Sequence, residues 1–250
     1  MKPLRAIAGR TLLHRSIAAA RAGLAGHLDA ELVVATDHRE VAAHAEAAGC
    51  RVIMTDPGVA SGSGRALAAA RVIGDGVAHV INFQGDSPFL PPEALPTVLA
   101  ALDAGAAVAT PVVRLDWAAL DALRAHKRDA PFSGTTCARG ADGRALWFSK
   151  TIIPAIRGED EIRAREALSP VWRHIGLYGY TRATLEAFEA TPPTALERIE
   201  GLEQLRLLEL GVAIQAVAVD PARFDISGID TEADIARAET LIARYGDPQG

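Results

Sequence analysis

The sequence predicts an α/β fold built on a doubly wound sheet, and two observations carry that reading. Across the first half, short apolar runs alternate with stretches whose apolar residues recur at helical spacing, the pattern of strands joined by crossover helices. The 250 residues are 49% hydrophobic and 23% charged, enough apolar material to bury a large core and too much for a chain that is disordered throughout.

The first clear strand is 32–36, an apolar run that stops at Asp37, after which Val41, Ala42, Ala45 and Ala48 follow at helical spacing up to Gly49. Asp37 with Glu40 three residues on resembles a capping box, so Asp37 reads as a helix cap. The unit repeats as a strand at 51–54, a helix at 66–73 and the run 77–83, whose continuous apolar character suits a buried strand. A helix over 92–104, with Pro96 near its start, precedes a strand at 106–113. In the second half, 144–148 and 173–180 read as strands, the former entered through the turn Ala141-Asp142-Gly143, and helices are predicted near 196–210 and 232–244. No internal repeat or low-complexity linker divides the chain, so 1–250 reads as one domain.

Charge and cysteine content narrow the function classes. With 26 Lys and Arg against 31 Asp and Glu the formal charge is −5, which argues against a nucleic-acid binder. Cys50 and Cys137 are too few for a disulfide scaffold and have no zinc spacing, so a reducing, cytoplasmic compartment is expected. No apolar run approaches the roughly 20 residues of a membrane helix, and Met1-Lys2-Pro3-Leu4-Arg5 lacks the apolar segment of a signal peptide.

In sheets of this kind ligands sit beyond the strand C-terminal ends, which directs the search to the loops after Phe83 and Thr36. Gln84-Gly85-Asp86-Ser87-Pro88 puts an amide and a carboxylate there, either as a turn or as a ligand for a hard divalent cation. Near the other end, Thr231 and Asp234 match a capping box, which leaves Asp230 free to be a second metal carboxylate or a solvated turn residue. Strand alternation puts Trp172, His174, Gly176, Tyr178 and Tyr180 on one face and Ile175 and Leu177 on the other; the first face is a polar pocket wall or a half-buried strand. Glu203 falls inside the stripe Leu196, Ile199, Leu207, Leu210, where it meets a basic partner or a polyol ligand unless the stripe is more open than its spacing implies. Ser61-Gly62-Ser63-Gly64-Arg65 opens a helix, either as a plain glycine-rich entry, the reading its residues favour, or as amides that hold an anion or a base edge; it fits neither a Walker loop nor a dinucleotide fingerprint.

Taken together, Lys2-Pro3-Leu4, Val34-Ala35-Thr36-Asp37, Ser61-Gly62 with Arg65, Gln84-Gly85-Asp86, Leu146-Trp147-Phe148-Ser149, 173–180, Leu202-Glu203-Gln204-Leu205-Arg206 and Gly228-Ile229-Asp230-Thr231 resemble the 3-deoxy-manno-octulosonate (Kdo) cytidylyltransferases over nearly the whole chain. The resemblance implies a nucleotidyltransferase fold with a mixed, mostly parallel central sheet, a homodimer, Mg²⁺, and transfer of CMP from CTP to a keto sugar acid in lipopolysaccharide synthesis, with release of pyrophosphate. It implies metal carboxylates at Asp86 and Asp230, a triphosphate lysine at Lys2, a sugar-acid pocket of Gln84, His174, Tyr178, Glu203 and Gln204, and nucleotide contacts at Ser61, Gly62 and Arg65. Ser63-Gly64 stand where the family usually has threonine and an acidic residue, and Phe132-Ser133-Gly134-Thr135-Thr136 replaces a region that usually carries a lysine. The family's N-terminal strand and arginine-containing triphosphate loop precede its Lys-Pro-Leu, so a chain written from Met1 is expected to be truncated relative to the family, inactive or nearly so, and poorly stable. The alternative is a non-catalytic paralogue that dimerises and binds sugar acid.

Overall fold

The computed structural model describes residues 1–222, 224, 228–229 and 231–248. A short hairpin of β1 (Ala6–Ile7) and β2 (Arg10–Thr11) runs into α1 (Leu12–Gly23), whose first turn is capped by the Thr11 hydroxyl accepting from the His14 N–H. There follow β3 (Val33–Thr36), α2 (Arg39–Ala47), β4 (Arg51–Met54), α3 (Gly62–Ile73), β5 (His79–Phe83), α4 (Ala94–Asp103) and β6 (Val108–Asp116), the alternation predicted by the period. Pro96 is accommodated because it lies in the first turn of α4, where the N–H it lacks has no intrahelical acceptor. The second half comprises α5 (Trp117–Asp129), β7 (Thr136–Arg139), β8 (Ala145–Ser149), α6 (Glu159–Arg163), β9 (Leu168–His174), β10 (Leu177–Thr181), α7 (Arg182–Ala190), α8 (Ala195–Glu200), α9 (Gln204–Glu209), β11 (Ile214–Ala218) and α10 (Glu232–Tyr245). The last helix starts with the predicted capping box between Thr231 and Asp234.

The main sheet has the order β5-β10-β6-β9-β7-β8, with β11 on the other edge of β6. It is mixed, but mostly antiparallel; the expectation of a mostly parallel sheet is corrected here. Among the described residues only its β6–β11 ladder is parallel. The reason lies in β6, which is long enough to be shared along one edge: β10 pairs with Val108 and Ala109, and β9 with the stretch from Val112 to Asp116, both running back along it. The hairpin of β7 and β8 extends that antiparallel half.

Helices cover both faces. On one, Leu67, Tyr178, Tyr180, Phe188, Leu205 and Leu207 form part of the largest buried cluster; on the other, Leu95, Val98 and Leu102 of α4 pack on Ala109, Leu177 and Val217. The parallel pair β3–β4 stands apart as a two-stranded sheet. Among the described residues β3 pairs only with β4 and β5 only with β10, and β3 and β5 line one cavity of about 1320 Å³.

Three local expectations are corrected. Asp37 does not cap α2; His38 holds the N-cap position and the Asp37 carboxylate instead takes the Arg65 guanidinium at 3.0 Å. The predicted strand 173–180 is broken at Ile175-Gly176, where the chain leaves β9 on β7 and enters β10 on β5. The predicted helix 196–210 is split by Gly201, whose left-handed φ of 62° ends α8, and the stripe fails with it, for Ile199 is 79% exposed.

Candidate functional site

The C-terminal end of β5 delivers Gln84, Gly85 and Asp86 to the rim of the large cavity, together with Lys2 from the chain start. Lys2 Nζ lies 2.7 Å from Asp86 Oδ2, with both side chains about one-third exposed (36% and 35%). A partly solvated pair of this kind stabilises the fold only slightly, so its value is positional: an ammonium and a carboxylate held together where a ligand enters. The Ile229 N–H donates to the Asp86 carbonyl at 3.0 Å, which fastens the segment before α10 to this loop. Asp230 itself lies outside the described residues.

The start of α3 forms the next part of the wall. Ser61 is its N-cap and accepts the Gly64 N–H at 2.8 Å, while the Ser61 hydroxyl lies 3.4 Å from each carboxylate oxygen of Glu189 on α7. Gly62 and Arg65 line the cavity. The Arg65 guanidinium is held by Thr55 Oγ1 at 2.7 Å and by Asp37, so it braces the end of β4 against the loop after β3.

The third part is the polar wall behind the rim. His174 Nε2 lies 2.9 Å from Thr110 Oγ1, and that hydroxyl is 2.7 Å from the Leu177 carbonyl. The single hydroxyl proton goes to the carbonyl, so Thr110 accepts from Nε2–H, and the neutral ring presents Nδ1 as an acceptor. Burial, helped by the nearby Lys150 charge, pushes the His174 pKa down to about 3. The ring packs edge-on to Phe148 and stands 5.2 Å from Tyr178, centroid to centroid. Tyr178 is fully enclosed, which pushes its pKa well above 10; it therefore stays an O–H donor, and that oxygen has no hydrogen-bond partner. Gln204, buried at the start of α9, likewise has an unpartnered Nε2.

Glu203 is half-buried and forms no ion pair among the described residues. Its Oε1 accepts from Ser63 Oγ at 2.8 Å, and Arg206, the cation nearest in sequence, is taken up by Glu197 at 2.8 Å. Burial raises the Glu203 pKa, partly offset by the Ser63 hydrogen bond and reinforced by Glu189. Gln84 ties the rim to this wall: a Cβ on Gly176 would stand 3.2 Å from Gln84 Oε1, so glycine at the corner between β9 and β10 is what admits the amide.

Of the residues singled out from sequence, the structure puts Lys2, Gly62, Arg65, Gln84 and Asp86 around one cavity, with Ser61 capping the same helix turn. His174, Tyr178, Glu203 and Gln204 pack behind them and do not line that cavity. Three neighbours were missed by sequence reasoning. Asn82 sits inside the apolar run that reads as a buried strand, Lys150 follows a strand with no motif around it, and Glu189 reaches Ser61 from 128 residues away. An asparagine in the middle of an otherwise apolar strand was the one signal available.

The sequence profile of a family described as cytidylyltransferase matches residues 1–214. A 3-deoxy-manno-octulosonate cytidylyltransferase of Maricaulis maris is 38% identical, the match covering 98% of this chain and 92% of that one; its counterpart in Xanthomonas oryzae pv. oryzae is 41% identical over 97% and 90%. A solved structure of CMP:2-keto-3-deoxy-manno-octonic acid synthetase complexed with CTP superposes with a TM-score of 0.79 at 28% identity, covering 97% of this chain and 92% of that one. A 4-diphosphocytidyl-2C-methyl-D-erythritol synthase from Anaerococcus prevotii, at 12% identity and a TM-score of 0.60, shares the fold over 96% and 91% of the two chains. The chain belongs to the cytidylyltransferase family, among its 3-deoxy-manno-octulosonate cytidylyltransferases.

Proposed function

We propose that this protein transfers CMP from CTP to the anomeric hydroxyl of Kdo or a similar 3-deoxy keto sugar acid. The oxygen of the sugar hydroxyl forms a bond to the α-phosphorus as the bond from that phosphorus to the bridging β-phosphate oxygen breaks; the hydroxyl proton is lost and pyrophosphate leaves. The observation that carries the reading is the Lys2–Asp86 pair, set on the rim of the same cavity as Gly62 and Arg65, with Gln84 reaching from that rim to the polar corner at Gly176.

Each residue has a role that its chemistry supports. The Lys2 ammonium offers three donors to the triphosphate, and its contact with Asp86 keeps it at the rim. Ser61 and Gly62 present the start of α3 to the nucleotide, and Arg65 fixes that start through Asp37 and Thr55. Gln84, the Nδ1 acceptor of His174, the Tyr178 hydroxyl, Glu203 and Gln204 form a wall of mixed donors and acceptors suited to a polyol acid.

Asp86 also suits Mg²⁺: it is an accessible hard-oxygen ligand, and Mg²⁺ commonly takes one or two carboxylates and fills its shell with substrate phosphates and water. Asp86 and, from its place in the sequence, Asp230 would hold the ion. Bound there it would neutralise charge on the phosphates during transfer. One α/β domain, a homodimer and a cytoplasmic location complete the reading; among the described residues no helix is long and apolar enough to cross a membrane. Pyrophosphate release from CTP tests it. Release that requires both Mg²⁺ and Kdo, and that falls at least about a hundredfold in Asp86→Asn, supports the reading. Release indifferent to Kdo contradicts it.

A further inference from the structure

The start of α3 has two N–H groups to spare. Of its first-turn donors, that of Gly64 is taken by Ser61 Oγ and that of Arg65 by the Ser61 carbonyl, which leaves those of Gly62 and Ser63. Beside them stands Asn82 of β5, 8% exposed, with its Nδ2 donor unpartnered. A Cβ on Gly62 would lie 3.2 Å from that nitrogen, so the glycine is what allows the amide to press against the helix start. Asn82 and Gly62 both line the large cavity. A buried amide donor without an acceptor costs folding free energy, and such a group is retained where a ligand supplies the acceptor.

The charges around this turn select the kind of acceptor. Glu203 accepts from Ser63 Oγ at 2.8 Å, and the Glu189 carboxylate lies 3.4 Å from Ser61 Oγ. Two carboxylates flanking one helix turn repel a phosphate there and leave a neutral acceptor favoured. A pyrimidine base offers such acceptors on one edge, the carbonyl O2 and, in cytosine, the unprotonated N3. We propose that Asn82 reads the nucleobase, its Nδ2 donating to the O2/N3 edge of cytosine seated on the first turn of α3. This rests on the CTP reading above and adds a specificity contact to it.

Calorimetry with CTP, with cytidine and with Kdo, each added alone to the wild-type protein and to Asn82→Leu and Asn82→Asp, tests the inference. Cytidine carries the base without phosphates, so it separates base contact from charge contact. In Asn82→Leu the dissociation constants of both CTP and cytidine should rise about tenfold while that of Kdo stays within about twofold. The unfolding temperature of the ligand-free variant should hold or rise, because an orphaned donor has been removed. Asn82→Asp keeps the shape, replaces the donor by an acceptor and should weaken cytidine at least as much; it carries the test if the leucine variant does not fold. Unchanged cytidine affinity in either variant overturns the inference. So does a parallel loss of cytidine and Kdo binding with a lowered unfolding temperature, the signature of a structural role. Absence of CTP and cytidine binding in the wild type overturns the nucleotide reading as well.

Discussion

Acidifying the protein should unfold it through His174, and replacing that residue should blunt the effect. The imidazole is neutral in the fold, with a pKa pushed from 6.5 down to about 3 by burial and by the Lys150 charge. Unfolded, it titrates at its ordinary value, so between the two values the unfolded chain binds more protons and stability falls as pH falls. At pH 7 the penalty is small; at pH 5 the shift corresponds to about 2 kcal/mol, following a slope of about 1.4 kcal/mol per pH unit that ends near pH 3. Urea unfolding of the wild type and of His174→Gln, measured at pH 7, 6 and 5, reads this difference. Glutamine retains a donor for Thr110 and cannot take up the proton, so the variant starts less stable at pH 7 and loses about 2 kcal/mol less on moving to pH 5. Parallel pH slopes for the two proteins would show that His174 is not held neutral by its surroundings and would remove the tautomer argument.

Further outcomes follow from the same contacts. Lys150→Met should move the His174 pKa upward in an NMR titration, because the positive charge that disfavours imidazolium is gone; no change would show that burial acts alone. Lys2→Met should lower turnover at least about tenfold while shifting unfolding free energy by less than about 1 kcal/mol, since the ion pair is partly solvated. Arg206→Leu leaves Glu197 buried without its cation and strands the Phe188 and Thr191 carbonyls, and should cost about 3–5 kcal/mol in urea unfolding. His174→Ala and Glu203→Gln should weaken Kdo binding more than CTP binding by calorimetry; the reverse order would detach the polar wall from the sugar acid.

Much of the first half was legible because each element announces itself locally. The apolar runs that became β3, β4 and β5, and the helical spacing of α2, are properties of a few adjacent residues. Strand direction is not such a property: period marks a strand without naming its partner, and the sharing of β6 between β9 and β10 makes the sheet mostly antiparallel. The break at Ile175-Gly176 was hidden because its residues continue the alternation on either side of it. Gly201 ends a helix inside the predicted span 196–210 because the apolar spacing there runs across the glycine without marking it. In the site, residue types clustered in the loop after β5 gave the rim, whereas Ser63 meets Glu203 across 140 residues of chain and Glu189 meets Ser61 across 128. Asp37 shows the competition: a cap by spacing, it is drawn off by the stronger charge-assisted contact with Arg65.

The central claim is that the cavity rim and the polar wall act together to join a cytidylate to a keto sugar acid. The fate of a label on the α-phosphate of CTP, in the presence of Mg²⁺ and Kdo, tests this most directly, because it reports which bond is made however slowly the protein turns over. The account predicts that the α-phosphate label appears in a single CMP–Kdo product, with unlabelled pyrophosphate released in equal amount. Label recovered only as free CMP, or as CTP unchanged after prolonged incubation, would contradict it.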